Sequence, residues 1–208
     1  MKKNLYRTSE KIGKEKNFET SWGVYDEVLK VIKIRNNEKI LDAGCGNGFF
    51  GNYVKTKNLY GVDIDKEALK KARKNNYKKL VISEIYKLPF KDKYFDKSVS
   101  IQVFQYIEEP EKALNELIRV TKEKIVLSAP NFKWLQLSSY LSNKYKERFI
   151  YCRENENFTD ERFMRNLGKK FNLDVKVYYA SNKFSFFRNI FGKYISSEII
   201  AIYNLKEK

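Results

Sequence analysis

The sequence predicts an α/β fold in which helices cover both faces of a parallel sheet, and three observations carry that prediction. Short apolar runs alternate with helix-spaced amphipathic stretches as far as Pro130, the rhythm of successive βαβ units. The first run, Lys39-Ile40-Leu41-Asp42-Ala43, opens directly into Gly44-Cys45-Gly46-Asn47-Gly48. Glycines there reach positive φ and let the backbone lie against a ligand at the strand's end. Finally, Asp42, Asp63 and Glu84 stand at the ends of three successive runs, and in an open parallel sheet those carboxyl ends border the ligand crevice.

Residues 1–18 are polar and charged, an arm or short irregular helix. From Glu19, the residues Trp22, Val24, Tyr25, Val28, Leu29, Val31 and Ile32 recur at helical spacing up to Ile34, and Asn36-Asn37 closes that helix before the first strand. After the glycine turn the apolar pairs Phe49/Phe50 and Tyr53/Val54 predict a second helix. Leu59–Asp63 reads as the second strand, and Asp65 as the N-cap of a helix burying Ala68, Leu69 and Ala72. A third strand, Leu80–Glu84, leads to a loop with Leu88-Pro89-Phe90, and a fourth runs from about Ser98 to Phe104. Pro110 opens a helix with Ala113, Leu114, Leu117 and Ile118 on one face. The fifth strand, Lys124–Ser128, is stopped by Ala129-Pro130. Beyond it lie an aromatic insertion over 132–158, a helix around Glu161–Phe171, and strands near Leu173–Tyr179 and Glu198–Tyr203. Between those last strands runs Phe184–Tyr194, unusually aromatic for a connection.

At 208 residues and 42% hydrophobic content the chain suits one domain, 1–208, with 1–36 as its arm and first helix. No apolar run reaches the length of a membrane span, and the start of the chain is polar, so the expected location is the cytoplasm. Cys45 and Cys152 form no metal-binding or disulfide pattern, and histidine is absent, which removes the commonest general base together with the commonest metal ligand. No metal is expected. A net charge of +16 raises the prospect of an anionic partner such as RNA. The excess is diffuse, however, and its densest cluster, Lys66, Lys70, Lys71, Arg73, Lys74, Lys78 and Lys79, reads as the solvated face of one helix.

The chemistry of the turn narrows the ligand. Dinucleotide sites usually read G-x-G-x-x-G, whereas this one reads G-x-G-x-G with Asp42 two residues before it. That carboxylate would repel a pyrophosphate and suit a cationic, phosphate-free ligand. The interval from Gly44 to Asp63 suits a carboxylate bonded to ribose hydroxyls, with Glu84 one strand further along where an adenine would lie.

Together Ile40–Gly48, Gly61-Val62-Asp63-Ile64-Asp65, Leu88-Pro89-Phe90, Phe95-Asp96 and Glu109–Leu114 make the chain resemble the class I S-adenosylmethionine-dependent methyltransferases, and within them the broad group that includes the ubiquinone/menaquinone C-methyltransferases. The likeness covers about residues 36–131. It implies a Rossmann-like, doubly wound sheet of seven strands, mostly parallel with the last antiparallel. It implies S-adenosylmethionine as cofactor, with Asp63 and Ile64 at the ribose and Glu84 and Ile85 at the adenine edge. Asp42, Gly44, Cys45, Gly46 and Gly48 would surround the methionine end, and the main chain of Ser100, Ile101 and Gln102 would meet the amino group. The sequence departs from the group after the fourth strand, where Phe104-Gln105-Tyr106 replaces the frequent Leu-His-His.

A sulfonium already activates its methyl group, so in-line transfer needs mainly a well-held acceptor. Should a proton have to leave, Tyr106 is the candidate base and Gln105 the positioner. The two covering segments, 132–158 and 183–196, would bring Trp134, Tyr140, Phe186, Phe187 and Phe191 over the crevice, a lining for a small, partly apolar or aromatic acceptor. Two alternatives stand beside that reading. The charge would suit an RNA methyltransferase, and Phe184–Tyr194 with its lysine and arginine would suit a non-catalytic cofactor-binding or membrane-surface module.

Overall fold

The computed structural model describes residues 23–140, 146, 159–180 and 198–205. Its elements in chain order are α1 (Val24–Ile32), β1 (Ile40–Ala43), β2 (Leu59–Asp63), α2 (Lys66–Ala72), β3 (Lys79–Ile82), β4 (Phe95–Ile101), α3 (Pro110–Val120), β5 (Thr121–Pro130), α4 (Phe132–Ser139), α5 (Glu161–Lys169), β6 (Asp174–Ala180) and β7 (Glu198–Asn204). The strands form one seven-stranded sheet of order β3-β2-β1-β4-β5-β7-β6. β1 to β5 pair in parallel and β7 runs antiparallel to both β5 and β6, the Rossmann-like arrangement that the resemblance implies.

Local chemistry accounts for the helices. Val24, Val28 and Ile32 recur every fourth residue and bury one stripe of α1. Asp65 caps α2 by accepting the Glu67 and Ala68 N–H groups at 2.8 and 3.1 Å, and Asp160 caps α5 through the Phe163 N–H at 2.8 Å. Pro110, with no N–H to leave unpaired, occupies the first turn of α3. The helices cover two faces. On one, Val24, Val28 and Ile32 of α1 pack with Ile40, Val99, Val126, Ile200 and Ile202. On the other, Ala113, Leu114 and Leu117 of α3 and Met164 and Leu167 of α5 pack with Leu41, Ile125, Leu127 and Tyr203. Parallel strands buried on both sides read as nearly continuous apolar runs, and all four residues of β1 are buried, the acid Asp42 among them.

Several boundaries differ from the sequence reading; β5, expected to stop before Ala129-Pro130, begins at Thr121 and includes both residues, which pair with β7. The helix expected after the glycine turn is one 3₁₀ turn, Phe49–Asn52. Phe50 and Val54 are buried, but Phe49 and Tyr53 stay 55% and 47% exposed, so their spacing does not describe a buried stripe. Gly51 also packs against the Tyr77 ring, where an added Cβ would lie 2.6 Å from Cε2. β3 stops at Ile82, leaving Glu84 in the following loop. β4 starts at Phe95 and ends at Ile101, because Gln102 turns into the left-handed region at φ 59°. The arm over 1–18, Trp22, residues 147–158 and the connection 183–196 with Phe186, Phe187 and Phe191 lie outside the described residues.

At the amino edge of the sheet, Glu38 is buried and held on every side. Lys97 Nζ donates to its two carboxylate oxygens at 2.9 and 2.8 Å, Arg35 Nε donates at 2.6 Å, and the Arg35 N–H donates at 2.8 Å. Burial works against the charge on Glu38, but these donors outweigh it and keep its carboxyl below the usual range. Among the described residues, no helix is long and apolar enough to cross a membrane.

Candidate active site

The carboxyl ends of β1, β2 and β4 bring most of the sequence-selected residues to one place. The Gly44 and Cys45 N–H groups both donate to Val62 O, at 2.7 and 2.9 Å, which hooks the glycine turn onto β2. Gly44, at φ +81°, has no room for a side chain, since an added Cβ would stand 2.4 Å from Val103 Cγ2. Gly48 closes the turn against Ala72 of α2. Gly46 differs from both: at φ +52° it also favours glycine, but nothing lies within 4 Å of the place a Cβ would take. Backbone here borders open space.

Asp63 stands beside that space and helps to shape it. Its Oδ2 accepts the Gly46 N–H at 2.7 Å and its Oδ1 accepts the Asp65 N–H at 2.8 Å. Burial raises its pKa and these backbone donors oppose the rise. A carboxylate has about four acceptor positions, so lone pairs remain for a ligand's hydroxyl groups. Ile64, next in the chain, is 37% exposed. The Ser83 N–H bonds Asp63 O at 3.1 Å, which carries the edge on to exposed Glu84 and half-buried Ile85.

Asp42 lies deeper, only 2% exposed. The Tyr77 hydroxyl donates to its Oδ2 at 2.5 Å, and no ion pair to Asp42 forms among the described residues. Burial pushes its pKa up to about 7; the Tyr77 bond opposes this and the nearby Asp63 charge adds to it. The neighbouring Cys45 thiol is pushed far above its ordinary value, first by burial and then by the charges of Asp42 and Asp63. Asp63 beside the open space at Gly46, with buried Asp42 behind it and no described cation paired to Asp42, fits a cationic ligand bearing hydroxyl groups.

Tyr77 and Asn75 are parts of the site that sequence reasoning missed. The Tyr77 ring fills the room left by Gly51 and Gly61. Asn75 Nδ2 donates to both Asn47 O and Gly48 O at 2.9 Å and so fastens the turn to the end of α2. Their signal was weak, an aromatic and an amide inside a run of lysines.

On the β4 side, Ser100 Oγ donates to Ala43 O at 2.8 Å, tying β4 to β1, while Ile101 is half-buried. The Gln102 N–H donates to Ser128 O at 3.0 Å. Gln105 and Tyr106 sit on the 3₁₀ turn Phe104–Tyr106. Tyr106 is half-buried, whereas Gln105 is 1% exposed and faces Gln102. Of the predicted covering residues, Trp134 is half-buried and Tyr140 is 80% exposed. No group of three or more His, Cys, Asp or Glu side chains suited to a metal ion occurs among the described residues.

Comparison with known proteins agrees with this geometry. Residues 41–127 match a family model described as a methyltransferase domain. An uncharacterized protein of Methanocaldococcus jannaschii is 36% identical over 104 residues, covering 49% of this chain and 45% of its own length. The chloroplastic 2-methyl-6-phytyl-1,4-hydroquinone methyltransferase of Arabidopsis thaliana is 28% identical over 152 residues, covering 66% of this chain and 45% of its own. The chain thus spans under half of either relative. Among solved structures, the plantazolicin methyltransferase BpumL in complex with SAH superposes with a TM-score of 0.70 at 18% identity, covering 98% of this chain and 93% of that one.

Proposed function

We propose that this chain, whose fold is that of the class I S-adenosylmethionine-dependent methyltransferases, transfers a methyl group from S-adenosylmethionine to a small, partly apolar or aromatic acceptor. The observation that carries the reading is the open space at Gly46, bordered by Asp63 and backed by Asp42, to which no described residue supplies a counter-cation. When bound, the cofactor supplies an electrophilic methyl group on a sulfonium. Asp63, with Ile64 beside it, receives the ribose hydroxyls; Glu84 and the backbone of Ile85 meet the adenine. The turn from Gly44 through Cys45 and Gly46 to Gly48 receives the methionine end, with Asp42 beneath it, and the backbone of Ser100, Ile101 and Gln102 meets the amino group. Gln105 and Tyr106 face the acceptor.

Within that fold the quinone C-methyltransferase group is the subgroup we favour, and the relative acting on a 1,4-hydroquinone supports an aromatic acceptor. Residues 1–208 would form one such domain, working in the cytoplasm. A second reading, an RNA acceptor, draws on exposed Lys66, Lys70, Lys71, Arg73, Lys74, Lys78 and Lys79 on and just after α2. These lie on the β2–β3 side of the sheet and not beside Gln105 and Tyr106.

Calorimetry with S-adenosylhomocysteine and, separately, NAD tests the main reading. S-adenosylhomocysteine is expected to bind and NAD to give no heat; the reverse result would end the proposal.

A further inference from the structure

The ends of β4, β5 and β7 carry a second polar group of residues whose hydrogen bonding stops short of completion. In the β5–β7 pairing Ser128 opposes Ile200 and Pro130 opposes Glu198. Side chains alternate along a strand, so Ser128 and Glu198 share the face on which Ile200 packs with α1. They lie at the carboxyl edge, beyond the apolar contacts. Gln102 bridges the strands here: its N–H bonds Ser128 O at 3.0 Å, its Nε2 donates to Glu198 Oε2, and its Oε1 accepts from Gln105 Nε2 at 3.1 Å.

The order of these bonds fixes their direction. The Gln102 NH₂ donates to Glu198, which leaves its carbonyl oxygen for Gln105. Gln105 must then offer its own NH₂ to that oxygen. Its remaining atom, Oε1, is an acceptor, buried and without a partner among the described residues. Ser128 Oγ is likewise buried without a partner, on a residue with no exposed surface at all. Buried polar atoms are nearly always bonded, and leaving one unmade is costly. Two on residues bonded to the same glutamine call for a ligand.

We propose that the methyl acceptor is recognised through a hydrogen-bond donor of its own, an N–H or O–H group delivered to Gln105 Oε1 and Ser128 Oγ. This rests on the methyl-transfer reading and adds to it a substrate class: phenols, primary or secondary amines and N–H heterocycles, but not their fully alkylated counterparts. Gln102 and Glu198 act behind the shelf as positioning residues, holding the Gln105 amide in the orientation that presents oxygen.

The test uses matched fragments on the protein saturated with S-adenosylhomocysteine: phenol and anisole, aniline and N,N-dimethylaniline, indole and 1-methylindole, titrated by saturation-transfer NMR. Wild type is expected to bind the donor-bearing member of a pair about tenfold more tightly than the capped one, roughly one hydrogen bond's worth. Gln105→Leu and Ser128→Ala should each erase most of that preference and leave S-adenosylhomocysteine affinity unchanged. Ser128→Ala should also keep or raise the wild-type melting temperature, because the hydroxyl it removes has no bond to lose among the described residues; it and Gln105→Met serve if Gln105→Leu folds poorly. Equal binding within every pair, no binding by any donor-bearing member, or a preference that survives both substitutions overturns the proposal. Failure of wild type to bind S-adenosylhomocysteine, seen before any fragment is added, overturns the methyl-transfer reading and this proposal with it.

Discussion

Two buried carboxylates, Glu38 and Asp42, stand four positions apart in the chain at opposite edges of the sheet, and their surroundings differ in kind. Glu38 meets Lys97, the Arg35 guanidinium and a backbone N–H. Asp42 meets one tyrosine hydroxyl and the field of a second acid. At the amino edge the charge of Glu38 is met by donors from the described residues themselves. At the carboxyl edge, among the described residues, Asp42 lacks a counter-cation, Gly46 borders open space, and Gln105 and Ser128 keep buried atoms unbonded. Incompleteness gathered at one edge of an otherwise satisfied sheet is what separates a site from a scaffold.

The largest effect should come from breaking the completed edge. Lys97→Met removes the buried cation from Glu38; breaking a buried pair typically costs about 3–5 kcal/mol, and the bonds kept from Arg35 place this variant toward the lower end. Urea denaturation should show a loss of that order, while the folded fraction binds S-adenosylhomocysteine with wild-type affinity. A small stability change, or a lost cofactor, would erase the distinction between the edges.

Asp42 offers a sharper test through pH. Its folded pKa is raised from 3.8 to about 7, so the unfolded chain gives up that proton first as pH rises. Between about pH 4 and 7 the folded state then binds more protons than the unfolded state, and stability falls with rising pH. Roughly three units at about 1.4 kcal/mol each set a ceiling on the order of 4 kcal/mol, reached above pH 7. Ligand-free Asp42→Asn lacks this term. Denaturation at pH 5, 6, 7 and 8 should therefore show wild type losing ground to the variant as pH rises; parallel curves would mean that Asp42 is neutralised in some other way.

Smaller again is the effect of Asp63→Ala. A charged hydrogen bond to a ribose is worth about 1.5–3 kcal/mol, so S-adenosylhomocysteine affinity should fall about tenfold or more. Because Asp63 also holds the Gly46 and Asp65 N–H groups, the variant should lose some stability as well. Asp63→Asn, which keeps an acceptor oxygen, should recover part of it. Unchanged affinity by calorimetry would mean that β2 does not end at the cofactor.

What could be read in advance was what is local. The first strand with its glycine turn, the Asp65 cap, the Pro110 helix start and the placing of Asp42 and Asp63 at strand ends depend on a few neighbouring residues. The count of seven strands and the antiparallel β7 followed from the resemblance and hold in the structure, whereas the strand order is read from the structure alone. Phe49/Phe50 and Tyr53/Val54 misled because spacing alone does not say which aromatics find a partner layer. Tyr77 was hidden because its role depends on two distant glycines making room for a ring. The bond from Gln102 to Glu198 joins residues 96 positions apart, and no pattern within either segment announces it.

Cys45 poses a problem of chemical compatibility. A thiolate in the turn proposed to hold a sulfonium would be a soft nucleophile kept next to an alkylating agent, and each encounter would threaten irreversible loss of the enzyme to its own reagent. Burial and the two carboxylates hold the sulfur as a thiol, and the thiolate is the reactive form. The charge pattern that would welcome the cation thus also protects the protein from it. A basic residue in place of Asp42 would repel the cofactor and, in the same stroke, arm the cysteine.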